Sequence, residues 1–212
     1  GGDGKRAPYT IATAKKYGWT WEIPTRNKIG RGYVYCDKYA SEDDILEELG
    51  DVEKLRSIEF ESGRIEQFIK GNVISIGLSS GFLEPLQATM QMELLHYSFP
   101  DEDFIDNELS AARYNELCGR LYDDMRDFVA LHYTGGKTDS EFWKSMKTPE
   151  RTLNLIRLAN TRLLRSFDFE HTSGTVKQES WNPILQGLGH LNKCSIPTVF
   201  DADGANMQWW IT

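Results

Sequence analysis

Trp19 and Trp21, in "GWTWEIP" (18–24), stand two positions apart, so on an extended chain both indoles lie on one face and form a broad aromatic wall. Such a wall can stack on a planar ligand or bar water from a reaction chamber, and core packing is the ordinary use of the same pair. A second run, "NVISIGLSSGFLEPLQAT" (72–89), reads as an apolar strand, a Ser-Ser-Gly turn and a helix start at Glu84 and Pro85. Backbone amides bared by glycine and a helix N-terminus suit a negatively charged ligand. A plain strand-to-helix connection uses the same glycines, and Pro and Glu suit any first helical turn.

Other chemistry is disfavoured. His96, His132, His171 and His190 share no ligand spacing such as H-E-x-x-H, so no metal site is expected. Cys36, Cys118 and Cys194 are far apart and outside any C-x-x-C pair, which signals neither a disulfide framework nor zinc. "GRGY" at Gly30 and "GLGHLN" at Gly187 lack the third glycine of a dinucleotide fingerprint. The 212 residues carry 24 Lys and Arg against 32 Asp and Glu, a net charge of −8 without a basic block, so no nucleic-acid partner is expected. The apolar stretch Val73 to Leu83 is too short to span a bilayer, and no charged segment precedes an apolar one at the start. The expectation is a soluble, cytoplasmic protein with no membrane partner.

The elements that must position these groups follow from periodicity. Residues 1–7 read as a flexible lead-in, followed by a helix over Tyr9 to Tyr17 and a strand ending at Pro24. A hairpin through "TRNKIGRG" leads to a strand in "GRGYVYCDKY" (30–39). "SEDDILEELG" (41–50) is a helix capped by Ser41 and stopped by Gly50. "LRSIEFESGR" (55–64) and "NVISIG" (72–77) predict two more strands, the latter apolar enough for the middle of a sheet. Beyond Pro100, Leu109, Ala112, Leu117, Leu121, Met125, Phe128, Val129 and His132 mark a long amphipathic helix from about Asn107 to Gly135 and Gly136. Helical segments follow at 140–146 and 149–164, with a short one in "ESWNPILQGLGHLNKC" (179–194). The fold class is α/β, as a mixed α+β portion.

Three blocks taken together, "GWTWEIP", "NVISIGLSSGFLEPL" (72–86) and "DDMRDFVALHYTGGKTDSEFW" (123–143), resemble in this order the flavin-dependent halogenases of the tryptophan halogenase family. Trp19, Trp21, Ile23 and Pro24 match every defined position of that family's W-x-W-x-I-P block, and the likeness runs over roughly residues 8 to 190. The resemblance implies part of an FAD-binding, two-domain, flavin monooxygenase-like fold with a helical C-terminal region. Residues 8–100 would carry the substrate-side sheet and the FAD- and halide-contacting segment, and 101–212 the helices. It implies an enzyme that uses FADH2 from a flavin reductase, oxygen and a halide ion to make hypohalous acid, which halogenates an aromatic small molecule. Trp19, Trp21, Ile23 and Pro24 would form the barrier between oxidant formation and substrate. Ile76, Gly77, Leu78, Ser79, Ser80, Gly81, Phe82 and Leu83 would lie against the flavin, and the backbone amides of Thr89 and Met90 would hold the halide. A homodimer is compatible with the resemblance.

The departures from that family concern catalysis. Gln87 stands where the family has a catalytic Glu, with Ala88 in place of Ser. An amide does not ionise, so Gln87 can orient an oxidant but cannot serve as a base. Glu84 is the lesser candidate for that role, and Met90 replaces a small residue at the halide position. No G-x-G-x-x-G opens the chain and the segment for the catalytic Lys is missing, so the residues read as the C-terminal half of a family protein. The stretch between Thr89 and Pro100 is also shorter than the family helix. "DFEHTSGTVKQESW" (168–181) lacks the aromatic insertion of enzymes that enclose free tryptophan, which favours a broader indole, phenol or other aromatic substrate. Trp181 either stacks on that substrate or anchors the last helix. A halogenase-derived monooxygenase and a non-catalytic binding protein are the alternatives.

Overall fold

Strand β2 (Gly18–Pro24) follows from the alternation of Trp19, Trp21 and Ile23 with Thr20 and Glu22, and it is the middle strand of an antiparallel sheet ordered β1-β2-β3. The computed structural model describes residues 9–50, 52, 56–86, 108–135, 137–169 and 176–191. The expected helix over Tyr9 to Tyr17 is instead strand β1 (Ile11–Ala14). Its small residues face the indoles, with Ala14 opposite Trp19 and Ala12 opposite Trp21, so pairing with β2 outweighs a weak local helix preference.

Strand β3 (Ile29–Tyr35) closes the expected hairpin through a turn in which Thr25 N donates to the Lys28 carbonyl at 2.8 Å. The glycines of "GRGY" have a packing cause: a Cβ at Gly32 would lie 2.5 Å from the Trp21 ring, and one at Gly30 would lie 3.4 Å from it. The Trp21 indole therefore lies along β3 over these two positions. Helix α1 (Glu42–Leu49) carries the capping box of Ser41 and Asp44, and Gly50 ends it at φ 75°.

Two expected strands are much shorter than their apolar pattern. "LRSIEFESGR" contributes only β4 (Gly63–Arg64), and "NVISIG" only β6 (Val73–Ile74). Gly71 (φ 59°) and Gly77 (φ 58°) reverse the chain on either side of β6, so it pairs locally with β5 (Ile69–Lys70) and leaves Val73 60% exposed. It is a hairpin arm, not a central strand. A 3-10 turn over Gly77–Ser79 then leads to β7 (Gly81–Phe82), which pairs with β4.

The helices are α2 (Glu108–His132), α3 (Glu141–Ser145), α4 (Glu150–Ala159) and α5 (Gln178–Gly187). The buried stripe of α2 runs through Tyr114, Cys118, Leu121, Tyr122, Met125, Phe128 and Leu131, whereas Ala112, expected inside, is exposed. Tyr114 and Cys118 carry the stripe because aromatic and thiol side chains bury as readily as Leu. This core also takes in Phe68 and Ile69 from the hairpin region. Two helix asparagines, Asn115 and Asn182, fasten neighbouring backbone in the manner of a strand partner. Asn115 bonds both backbone groups of Ile69, at 2.8 and 3.1 Å, and Asn182 both of Leu164, at 3.2 and 3.1 Å. The buried carboxylates Asp124 and Asp127 on α2 share Arg151 of α4, which compensates part of their desolvation.

Candidate active site

Trp19 is 5% exposed, and its Nε1 donates to the Tyr133 hydroxyl at 2.9 Å. That hydroxyl donates in turn to Glu84 Oε2 at 2.8 Å, while Glu84 Oε1 accepts from Leu86 N at 2.9 Å. An indole N–H can only donate, so the polarity of the chain is set: every proton points toward Glu84. Burial pushes the Glu84 carboxyl above its ordinary value, opposed by the hydrogen bonds from Tyr133, Leu86 and Trp19. Burial, with the Glu84 charge beside it, also raises the Tyr133 phenol. Three separate elements meet here: the tryptophan strand, the residue after α2, and the segment that leads toward residue 87.

The Tyr133 ring lies 5.7 Å from that of Trp143, whose Nε1 donates to the Lys15 carbonyl at 2.7 Å. Sheet and helices are thereby joined twice at the Trp19 end of the aromatic wall. Trp21 is half-buried, Ile23 is 42% exposed and Pro24 half-buried, so the wall passes from a fixed inner end to an open outer one.

The run proposed to face a flavin divides into two parts. Ile76 and Leu78 are 44% and 71% exposed, and nothing lies within 4 Å of where a Cβ would stand on Gly77. Ser79 closes this turn, accepting from Ile76 N at 3.1 Å and donating to the Ile76 carbonyl at 2.7 Å. Ser80 is buried against Tyr122, with 2.9 Å between their hydroxyls. The space beside Gly81 is filled by Gly63, Arg64 and Tyr122, and Phe82 packs edge-on against Phe60. Open backbone approach is therefore at Gly77, and the close approach at Gly81 is to the protein itself. Leu83 and Glu84 line a groove of about 190 Å³ with Val129, Tyr133, Met146 and Lys147.

Gln87, Thr89 and Met90 lie outside the described residues. Trp181 is 0% exposed and packs at 5.4 Å from Phe128 and 5.8 Å from Phe169, and its Nε1 has no hydrogen-bond partner among the described residues. That is the placement of a core anchor. No group of His, Cys, Asp and Glu among the described residues is arranged to hold a metal ion. Nor is any described helix long and apolar enough to cross a membrane. Sequence reasoning missed Tyr133. Its signal was weak: it stands four residues after Val129, on the inward stripe continued past the end of α2.

A short antiparallel sheet with an aromatic wall is braced by a helical body through a half-buried carboxylate, and the chain belongs to the tryptophan halogenase family, whose model matches residues 2–203. It is 40% identical to tryptophan 6-halogenase SttH of Streptomyces toxytricini, over 93% of this chain and 41% of that protein. It is 37% identical to tryptophan 7-halogenase RebH of Lentzea aerocolonigenes, over 66% of this chain and 29% of that one. Among solved structures, it matches SttH at a TM-score of 0.71 with 34% identity, covering 84% of this chain and 38% of that one. It matches BrvH, a flavin-dependent halogenase from Brevundimonas sp. BAL3, at a TM-score of 0.72 with 32% identity, covering 96% of this chain and 44% of that one. The chain thus spans less than half the length of these relatives.

Proposed function

We propose that the protein carrying this chain is a cytoplasmic flavin-dependent halogenase that uses FADH2 from a flavin reductase, oxygen and halide to halogenate an electron-rich aromatic molecule. The observation that carries this reading is the W-x-W-x-I-P strand, intact and locked at its inner end by the Trp19–Tyr133–Glu84 chain. A wall that keeps the organic substrate apart from the place where the oxidant forms must not swing, and two part-buried hydrogen bonds hold this one.

The exposed turn fits one face of an FAD. Gly77 has a left-handed backbone and open space above it, flanked by the apolar side chains of Ile76 and Leu78. When bound, the cofactor supplies the oxygen chemistry that oxidises halide. Ser79, Ser80, Gly81, Phe82 and Leu83 hold the turn in shape. The backbone amides of Thr89 and Met90 bind halide, and Gln87 orients the oxidant without removing a proton. Trp21, Ile23 and Pro24 complete the barrier, and Trp181 supports the substrate side from within the core.

The test supplies reduced flavin, oxygen and, separately, chloride, bromide or iodide to the whole protein with a broad panel of indoles and phenols. A halide-dependent mass shift is expected. Oxygenated product without a halide requirement, or no product and no flavin binding, would overturn the reading in favour of a monooxygenase or a binding protein.

A further inference from the structure

Tyr133 has the surroundings of a redox-active phenol. Its hydroxyl accepts from Trp19 Nε1 at 2.9 Å and donates to Glu84 Oε2 at 2.8 Å, and its ring lies 5.7 Å from that of Trp143. Trp19 and Trp143 are both buried. A phenol gives up an electron readily only if its proton leaves with it, because the oxidised phenol is a very strong acid. A carboxylate already within hydrogen-bond reach takes that proton without a diffusive step.

We propose that Trp19, Tyr133 and Glu84 form a proton-coupled electron-transfer unit that takes up oxidising equivalents reaching the aromatic wall. The oxidant is a one-electron species, a halogen atom or an equivalent radical. A halogen atom takes one electron from Trp19, directly or through the part-exposed Trp21, and leaves as halide. One electron then passes from Tyr133 to the Trp19 radical cation and restores the indole. The Tyr133 O–H bond breaks and a new O–H bond forms on Glu84 Oε2, leaving a neutral tyrosyl radical beside a neutral carboxyl. A thiol later returns the electron, becoming a thiyl radical and releasing its own proton to water, and the proton on Glu84 goes back to the phenol.

The geometry distinguishes Tyr133 from its neighbours. Tyr122 faces the Ser80 hydroxyl, which is not a carboxylate. Burial that favours the protonated form of Glu84 makes it a better acceptor than an exposed carboxylate. The chemistry of the unit does not depend on the halogenase reading, although its benefit would be greatest in a protein that makes an oxidant.

The test is flash photolysis of the purified protein with a diffusible photogenerated one-electron oxidant, followed by transient absorption and electron paramagnetic resonance. A tyrosyl radical is expected to grow in as a tryptophan radical decays. Tyr133→Phe should abolish that component and prolong the tryptophan radical, Glu84→Gln should slow its formation about a hundredfold, as loss of a positioned proton acceptor does, and Tyr122→Phe should change neither. Survival of the component in Tyr133→Phe, or its formation at the parent rate in Glu84→Gln, would overturn the proposal. Should Glu84→Gln fail to fold, growth of the tyrosyl signal in the parent protein at the same rate in deuterium oxide as in water would overturn it equally.

Discussion

Tyr133 and Glu84, 49 positions apart in the chain, meet at 2.8 Å with the phenol donating to a half-buried carboxylate. The contact joins the end of the longest described helix to the turn before residue 87, and through Trp19 it reaches the sheet. Removing the hydroxyl alone strips Glu84 of one donor and takes away the acceptor 2.9 Å from Trp19 Nε1. Tyr133→Phe is therefore expected to cost about 1–3 kcal/mol, read as a lower midpoint with unchanged slope in urea unfolding.

The same carboxyl carries a pH signature. Burial holds Glu84 above its ordinary value of 4.5, so the folded state binds a proton that the unfolded state has already released. Stability from this group is complete below 4.5 and is lost as pH rises through the folded value. Glu84→Gln does not titrate. The difference in Tm, variant minus parent, should be flat below 4.5 and climb above it in a series of thermal scans.

Two glycines of the sheet should differ in cost. A Cβ at Gly18 would lie 1.9 Å from the Val34 carbonyl oxygen, whereas one at Gly32 meets the Trp21 ring at 2.5 Å. A backbone oxygen cannot yield without breaking the first β2-β3 pairs, but a half-buried indole can rotate outward. Gly32→Ala should cost about 1–3 kcal/mol and red-shift tryptophan emission, and Gly18→Ala should cost more.

Trp181 separates a core role from a substrate role. Trp181→Ala should destabilise by about 3–5 kcal/mol, as deletion of a fully buried indole does. Trp181→Phe should cost much less, since it also removes a donor with no partner among the described residues. A substrate role would instead appear as a raised KM in Trp181→Phe with the melting temperature unchanged.

Gln87→Glu restores an ionisable group at the position of the family carboxylate. In the whole protein, kcat for aromatic halogenation should rise by about a hundredfold if the carboxylate removes the ring proton. Single-turnover product formation measured by mass spectrometry checks this.

Much of the site was legible from types and spacing. The period of two in "GWTWEIP" predicts a strand with both indoles on one face, and the hairpin after it, the capped helix at Ser41 and the long helix toward Gly135 all stand where local signals put them. These are short-range properties, decided by side-chain direction, capping and backbone freedom. Family membership was legible too, and Gln87 is known from sequence alone.

Pairing was not legible. Ile11–Ala14 is a strand because β2 offers it a ladder, and "NVISIG" is a short hairpin arm because Gly71 and Gly77 turn the chain back before it can extend. Nothing in an apolar pattern says which segment will be its neighbour. Tyr133 shows this most plainly. Its hydroxyl became part of the site only when folding closed 49 residues and placed a carboxylate and an indole on either side of it. Such a contact is a property of tertiary packing, because burial and partner geometry, not residue type, decide whether a tyrosine is an ordinary core residue or the middle of a hydrogen-bonded chain.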